Sequence, residues 1–259
     1  MPDRARVVGS YLSPYVRKVL AALHLKRIAY EIDPLVPFFG NEAFTRLSPL
    51  RRIPVLIDGD VTLCDSTVIC EYLEERTPEP ALLPRAAAER ARARWLEEFA
   101  DSRIGEVLIW GLFNQRVIRR GVWGEAADEA LVRRALDEDV PQILDYLERE
   151  VPERGFLFGA LGTADLALAA PFRNAAFARF TIDAARWPRS AAYVSRVLDH
   201  DVLARLRAFE ELSLRTPPLK VREALAAAGA PISAESHWAD APRRGVMRDR
   251  KSTRLNSSH

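Results

Sequence analysis

Cysteine is nearly missing from this chain: Cys64 and Cys70 are its only two among 259 residues. Two cysteines cannot build a disulfide framework, so a reducing cytoplasm is the expected compartment. Neither has a partner at zinc-ligand spacing, and His24, His200, His237 and His259 stand far apart, so no metal site is expected. No apolar run approaches the roughly 20 residues that cross a bilayer. Residues 1–6, Met-Pro-Asp-Arg-Ala-Arg, also lack the apolar stretch of a secretory leader, and no membrane partner is expected. An excess of one charge is missing too: 38 basic against 36 acidic side chains give +2. That balance points away from nucleic acid and anionic lipid as partners. Gly159-Ala160-Leu161-Gly162 has no Lys-Ser or Lys-Thr after it, so it is no phosphate loop, and no Gly-x-Ser-x-Gly elbow occurs.

What is present is ordinary globular chain, 48% hydrophobic and 29% charged, long enough for one and a half to two domains. Residues 249–259, Asp-Arg-Lys-Ser-Thr-Arg-Leu-Asn-Ser-Ser-His, back-translate in frame into a sequence resembling a sequencing-adapter oligonucleotide. They are expected to be an artefact and are set apart from fold reasoning. Without them the count is 35 basic against 35 acidic residues, so the small positive excess lies wholly in that segment.

The first third alternates strand and helix. Arg6-Val7-Val8-Gly9 is a short strand; Ser13 then stands as N-cap before Pro14, and Val16, Val19, Leu20 and Leu23 form one helical stripe. Residues 28–32 are a second strand candidate, and 38–47 a loop with a short helix. Residues 53–57 and 61–64, joined by Asp58-Gly59-Asp60, form a β-hairpin. Asp65 or Ser66 caps the next helix, with an expected apolar face of Val68, Ile69, Tyr72 and Leu73. Three prolines, Pro78, Pro80 and Pro84, then mark a linker. Beyond it every patterned segment is helical: 85–113; 126–149, which Pro141 kinks or divides; 163–180, apolar nearly all round; 188–199; and 201–214. Proline-punctuated residues 215–248 read as an extension that wraps the surface or is partly loose. The expected organisation is therefore an α/β domain over 1–78, a linker at 79–88, an all-helical domain over 89–214, and the extension.

On these residues the chain resembles the cytosolic glutathione transferases, most closely the serine-using, tau-like group. Gly9-Ser10-Tyr11-Leu12-Ser13-Pro14-Tyr15-Val16-Arg17-Lys18-Val19 is similar to the family's first strand, turn and helix. Leu47-Ser48-Pro49-Leu50-Arg51-Arg52-Ile53-Pro54-Val55-Leu56 is similar to the loop before its third strand, and Asp65-Ser66 to its acidic-Ser pair. The resemblance covers about residues 5–214. It implies a thioredoxin-like α/β N-terminal domain followed by an all-α helical bundle, a homodimer, and glutathione as cosubstrate with no further cofactor and no metal. It also implies a hydrophobic electrophile or a hydroperoxide as the second substrate, in detoxification chemistry.

The chemistry suits those residues. A thiol of pKa near 8.5 is only about 3% thiolate at pH 7, and a drop of about two units needs about 2.7 kcal/mol. A hydroxyl donating to sulfur at the positive end of a helix favours the anion, and Ser13 is placed for both effects. Plain N-capping is the bland alternative for Ser13, and Tyr11 and Ser10 are its rivals at the sulfur. No cysteine occupies this turn, which speaks against thiol-disulfide exchange. The resemblance implies a cis bond before Pro54, the backbone of Ile53 on the cysteinyl part, and Arg52 on the glycyl carboxylate. It gives Asp65 and Ser66 the γ-glutamyl end. Tyr11, Trp110, Phe113, Asn114 and Val117 are its implied acceptor pocket.

Two departures stand out: no lysine occurs in Phe39-Gly40-Asn41, and Gly162 replaces the hydroxyl residue of the capping box that leads to Asp165, expected to be structural. Cys64 is expected to be buried and inert. Two other functions stay open: a glutathione-dependent isomerase or dehalogenase, although a Ser-Ser-Cys motif is absent, and a non-catalytic binding protein on the same fold.

Overall fold

The computed structural model describes residues 4–244, and the proposed artefact at 249–259 lies outside them. Strands β1 (Ala5–Val8), β2 (Tyr30–Asp33), β3 (Val55–Asp58) and β4 (Val61–Cys64) form one sheet in the order β2-β1-β3-β4. β1 runs parallel to β2, as a crossover through helix α1 (Pro14–Leu25) requires, and antiparallel to β3. The Asp58-Gly59-Asp60-Val61 turn folds β4 back on β3, with Gly59 at φ 59°. Helix α2 (Glu42–Leu47) connects β2 to β3, and α3 (Ser66–Arg76) follows β4. This is the expected thioredoxin-like unit.

α1 starts where Pro14 can sit without a missing bond, and its stripe of Val16, Val19, Leu20 and Leu23 is wholly buried. The face expected for α3 needs correction. Ile69 and Leu73 are buried, but Val68 is 47% exposed and Cys70 takes the inward position. The buried face is thus Ser66, Ile69, Cys70, Leu73 and Glu74.

The linker lies against the core instead of standing free. Leu82 and Leu83 are buried, and their N–H groups donate to Glu74 at 2.8 and 3.4 Å. One long helix spans residues 87–123, ten residues beyond the expected end, with a more widely wound stretch at Ala100–Ile118. A second spans 129–150. Pro141 does not break it: lacking an N–H, Pro141 follows a more widely wound turn at Ala135–Asp139 before the regular Val140–Glu150. Helix Thr163–Phe177 fills the middle of the bundle and packs on α1. Residues 201–214 are not one helix but two, Asp201–Ala204 and Arg207–Arg215. One hydrophobic core runs continuously through both parts of the chain.

Gly162 explains its own departure. A Cβ there would stand 2.6 Å from the carbonyl oxygen of Leu82, so the linker's approach excludes a hydroxyl residue. Asp165 still closes the cap, accepting from the N–H groups of Gly162 and Leu157 at 3.0 Å and from the Tyr193 hydroxyl at 2.7 Å. Its role is structural, as expected.

Among the described residues the extension wraps the α/β domain. Helix Val221–Ala227 leads to a strap over residues 230–244 that lies along the outer edge of β2. Ile32 donates to the Pro231 carbonyl at 2.7 Å and Ser233 to that of Ile32 at 3.0 Å, covering an edge that would otherwise be open.

Candidate active site

Three turns converge at one end of the sheet. The first leaves β1 at Gly9, φ 154°, where a Cβ would meet Val16 Cγ2 at 2.5 Å and Ile53 Cβ at 3.2 Å. That contact sets Ile53 against the first turn of α1. At this turn Ser13 is half-buried in extended conformation, and its Oγ accepts from the Val16 N–H at 3.3 Å. The N-cap reading is thus realised. It leaves the hydroxyl proton without an acceptor among the described residues, so capping and thiol activation are compatible in one side chain.

The second turn carries Arg52, Ile53 and Pro54. The Ile53–Pro54 bond is cis, and no backbone hydrogen bond joins Ile53 to another described residue. Ser48 braces the turn. Its Oγ donates to the Arg52 carbonyl at 2.9 Å and accepts from the Arg52 N–H at 3.0 Å. Arg51, left-handed at φ 51°, turns its guanidinium back onto the Gly40 carbonyl and Thr45. Arg52 is left exposed, its guanidinium free of described partners.

The third turn holds Asp65 and Ser66. Asp65, at φ 79°, accepts from the N–H groups of Thr67 at 2.9 Å and Val68 at 3.3 Å. Ser66 is buried at the first position of α3, where free N–H groups and the helix dipole favour a carboxylate.

Sequence reasoning missed the support beneath this turn. Lys18 is completely buried, and its Nζ donates to Thr67 Oγ1 and Glu97 Oε2, both at 2.9 Å, with Asp101 Oδ2 at 3.9 Å. Glu97 also accepts from Thr163 at 2.5 Å. Burial pushes the Asp101 carboxyl up to about 6; Lys18 opposes the rise, while Glu97 and Asp65 add to it. Tyr15, two residues after Ser13, directs its hydroxyl to the Asp101 carbonyl at 3.5 Å and against Gly105. Burial and then Asp101 push its phenol up to about 12, against Lys18 and Arg52. Arg52 and Asp65 both act on Tyr15, so the two turns share one neighbourhood. A lysine within a helical stripe was the one available signal.

The implied acceptor residues divide. Trp110, Asn114 and Val117 are half-buried along one stripe of the long helix, and Phe113 is buried against Phe177, ring centres 6.4 Å apart. Tyr11 departs from expectation. Only 1% exposed, it packs its ring on Phe209 at 5.2 Å, and its buried hydroxyl is turned towards that of Tyr30. Burial therefore makes it a core side chain and not a pocket wall. Cys64 also differs: it is half-exposed, donates to the Leu47 carbonyl at 3.2 Å, and burial raises its pKa. Cavities of about 130 and 190 Å³ occur in the chain, but neither is lined by Ser13, Arg52, Asp65 or Trp110.

A family model described as the glutathione S-transferase N-terminal domain matches residues 7–81. An uncharacterized GST-like protein of Escherichia coli (strain K12), YibF, is 32% identical over 166 residues, 63% of this chain and 78% of the relative. A probable maleylacetoacetate isomerase 1 of Drosophila melanogaster is 42% identical over 94 residues, 34% of this chain and 38% of the relative. Among solved structures, that of a glutathione S-transferase from Rhodospirillum rubrum F11 superimposes with a TM-score of 0.75 at 30% identity, covering 85% of this chain and 99% of the other.

Proposed function

The chain belongs to the glutathione S-transferase family, and from that premise we propose that it activates the glutathione thiol for attack on a hydrophobic electrophile or a hydroperoxide. The observation that carries this reading is Ser13. Its oxygen caps α1 while its proton has no acceptor among the described residues, at the positive end of a helix whose Val16, like Ile53, closes on Gly9. Donation of that proton to sulfur stabilises the thiolate, which is the attacking species. Arg52 is assigned to the glycyl carboxylate, the backbone of Ile53 to the cysteinyl unit, and Asp65 with Ser66 to the γ-glutamyl end. The half-buried stripe Trp110, Asn114 and Val117 is assigned to the acceptor.

Isomerisation is the second reading, supported by the 42% identity to a probable maleylacetoacetate isomerase over 94 residues. Both readings need the same thiolate, so the decisive test uses a panel of electrophiles, hydroperoxides and cis-enediones with glutathione. Conjugation or peroxide reduction supports the first reading, and turnover of the enediones alone supports the second. Binding of glutathione with no turnover in any class would make the protein a binding module.

The proposed assembly is a two-fold dimer in the cytoplasm. Val68 on α3 and Trp95 on the long helix are half-exposed apolar side chains that a partner could cover. Sedimentation at micromolar concentration should give twice the chain mass, and a monomer throughout that range would remove the dimer.

A further inference from the structure

The strap over residues 230–244 does more than cover a strand edge. Its latch is Asp33, at the end of β2 and almost fully buried. One carboxylate oxygen accepts from Arg222 at 2.9 Å; the other accepts from the His237 backbone N–H at 2.7 Å and lies 3.0 Å from its Nδ1. Arg222 also holds the Ser233 carbonyl of the strap itself. Beyond the latch the strap grips the segment before α2. The Asn41 N–H donates to the His237 carbonyl at 2.8 Å, and the Ala239 N–H to that of Phe39 at 2.6 Å. Asn41 Nδ2 reaches the Trp238 carbonyl at 3.4 Å, and the Trp238 ring packs 5.6 Å from that of Phe39.

Asn41 is the N-cap of α2, its Oδ1 accepting from Phe44 at 3.0 Å. The other end of α2 is Ser48, whose N–H donates to the Phe44 carbonyl at 2.8 Å and whose hydroxyl brackets both backbone groups of Arg52. Arg51 ties the two ends together through Gly40 and Thr45. Hydrogen bonds therefore run without a break from His237 through Asn41, α2 and Ser48 to Arg52.

We propose that the strap is a positioning element for the glycyl end of the glutathione site, with Arg222, His237 and Trp238 acting through α2 to hold Arg52 in place. This rests on the glutathione reading above. It gives the strap beyond residue 233 a physical role besides covering the β2 edge. It also suggests how a chain without a lysine at residues 39–41 keeps its one glycyl-carboxylate cation in register.

The test uses the full chain with Arg222→Ala and His237→Ala together, and separately Trp238→Ala, which leaves the Asp33 latch intact. Calorimetric titration compares glutathione with γ-glutamylcysteine, a ligand that lacks the glycyl carboxylate. The proposal expects the glutathione Kd to rise about two- to fivefold in both variants, no more than loss of Arg52 itself would cause, with the γ-glutamylcysteine Kd unchanged. Amide exchange should quicken in residues 39–53 and stay unaltered in 61–76. Equal loss for both ligands, no loss for either, or faster exchange throughout the chain would overturn it, because each describes a strap that only stabilises. If the unaltered protein binds γ-glutamylcysteine and glutathione equally, Arg52 does not read the glycine and the proposal falls, while the thiol-activation reading stands. If it binds neither ligand, both fall.

Discussion

At the Asp65 end of the cleft, α3 rests on charges inside the protein, whereas at the Arg52 end α2 is held by hydrogen bonds to a strap 197 residues further along the chain. The first support, Lys18 with Glu97, bridges α1 to the long helix and is sealed within the core. The second lies at the outer edge of the sheet, with a buried latch at Asp33 and His237 and with Ile232 and Trp238 packed on the core from outside. If glutathione binds as proposed, its γ-glutamyl end meets a turn built into the domain contact and its glycyl end a turn braced from outside.

The hardest way to break that contrast is Lys18→Met. It leaves Glu97 and Asp101 facing each other with no cation, and breaking a buried pair from one side costs about 3–5 kcal/mol. Urea unfolding should show a loss of this size for the whole chain, not a local one. A loss under about 1 kcal/mol would mean that the acidic end is not anchored by this pair.

The same contrast marks what could be read in advance. Ser13-Pro14 and Asp65-Ser66 were legible as local physics, a cap and a helix start, whereas the cis bond before Pro54 was implied by the resemblance alone. The Lys18 network was not, because its partner Glu97 lies 79 residues away and a lysine in a helical stripe usually reads as surface. The strap was not either. Its prolines suggested only a wrapping segment, and nothing near His237 announces Asp33, 204 residues earlier. Val68 and Cys70 show a finer failure: both are apolar, and the pattern alone did not say that Cys70, and not Val68, faces the core. Gly162 reads as a defect until the Leu82 carbonyl is seen beside it.

Ser13 belongs to neither support, and its effect should be independent of both. Ser13→Ala should raise the bound thiol's pKa by about one to two units, and the rate near pH 7 should fall roughly ten- to a hundredfold. Glutathione affinity should change little, and Tyr11→Phe should leave the thiol where it was, because that phenol is buried in the core. Ultraviolet titration of the bound thiolate reads both variants; a shift with Tyr11→Phe alone would reassign the activating residue.

Arg52→Gln sharpens the comparison at the glycyl end. Exposed ionic contacts are worth about 1 kcal/mol or less, so glutathione should bind up to about fivefold more weakly. γ-Glutamylcysteine should bind as before. Equal weakening of both ligands would place Arg52 elsewhere on the tripeptide.

The smallest effect expected is a pH dependence belonging to the acidic end alone. In the unfolded chain Asp101 titrates near 3.9, whereas burial pushes its carboxyl up to about 6 in the fold. Between those values the folded protein keeps a proton that the unfolded chain has released, so stability falls as pH rises from about 4 and the loss is complete above about 6. Asp101 is 28% exposed at its side chain, so solvent screening should hold the change to about 1 kcal/mol or less. Asp101→Asn keeps the shape and cannot ionise, so urea midpoints between about pH 4.5 and 7.5 should lose this component of their slope. An unchanged slope would mean that another group sets it. The slope should survive Trp238→Ala, since Asp101 faces Lys18, Glu97 and Asp65 and no residue of the strap. A slope that vanished with the strap would show that the two ends are not separately held.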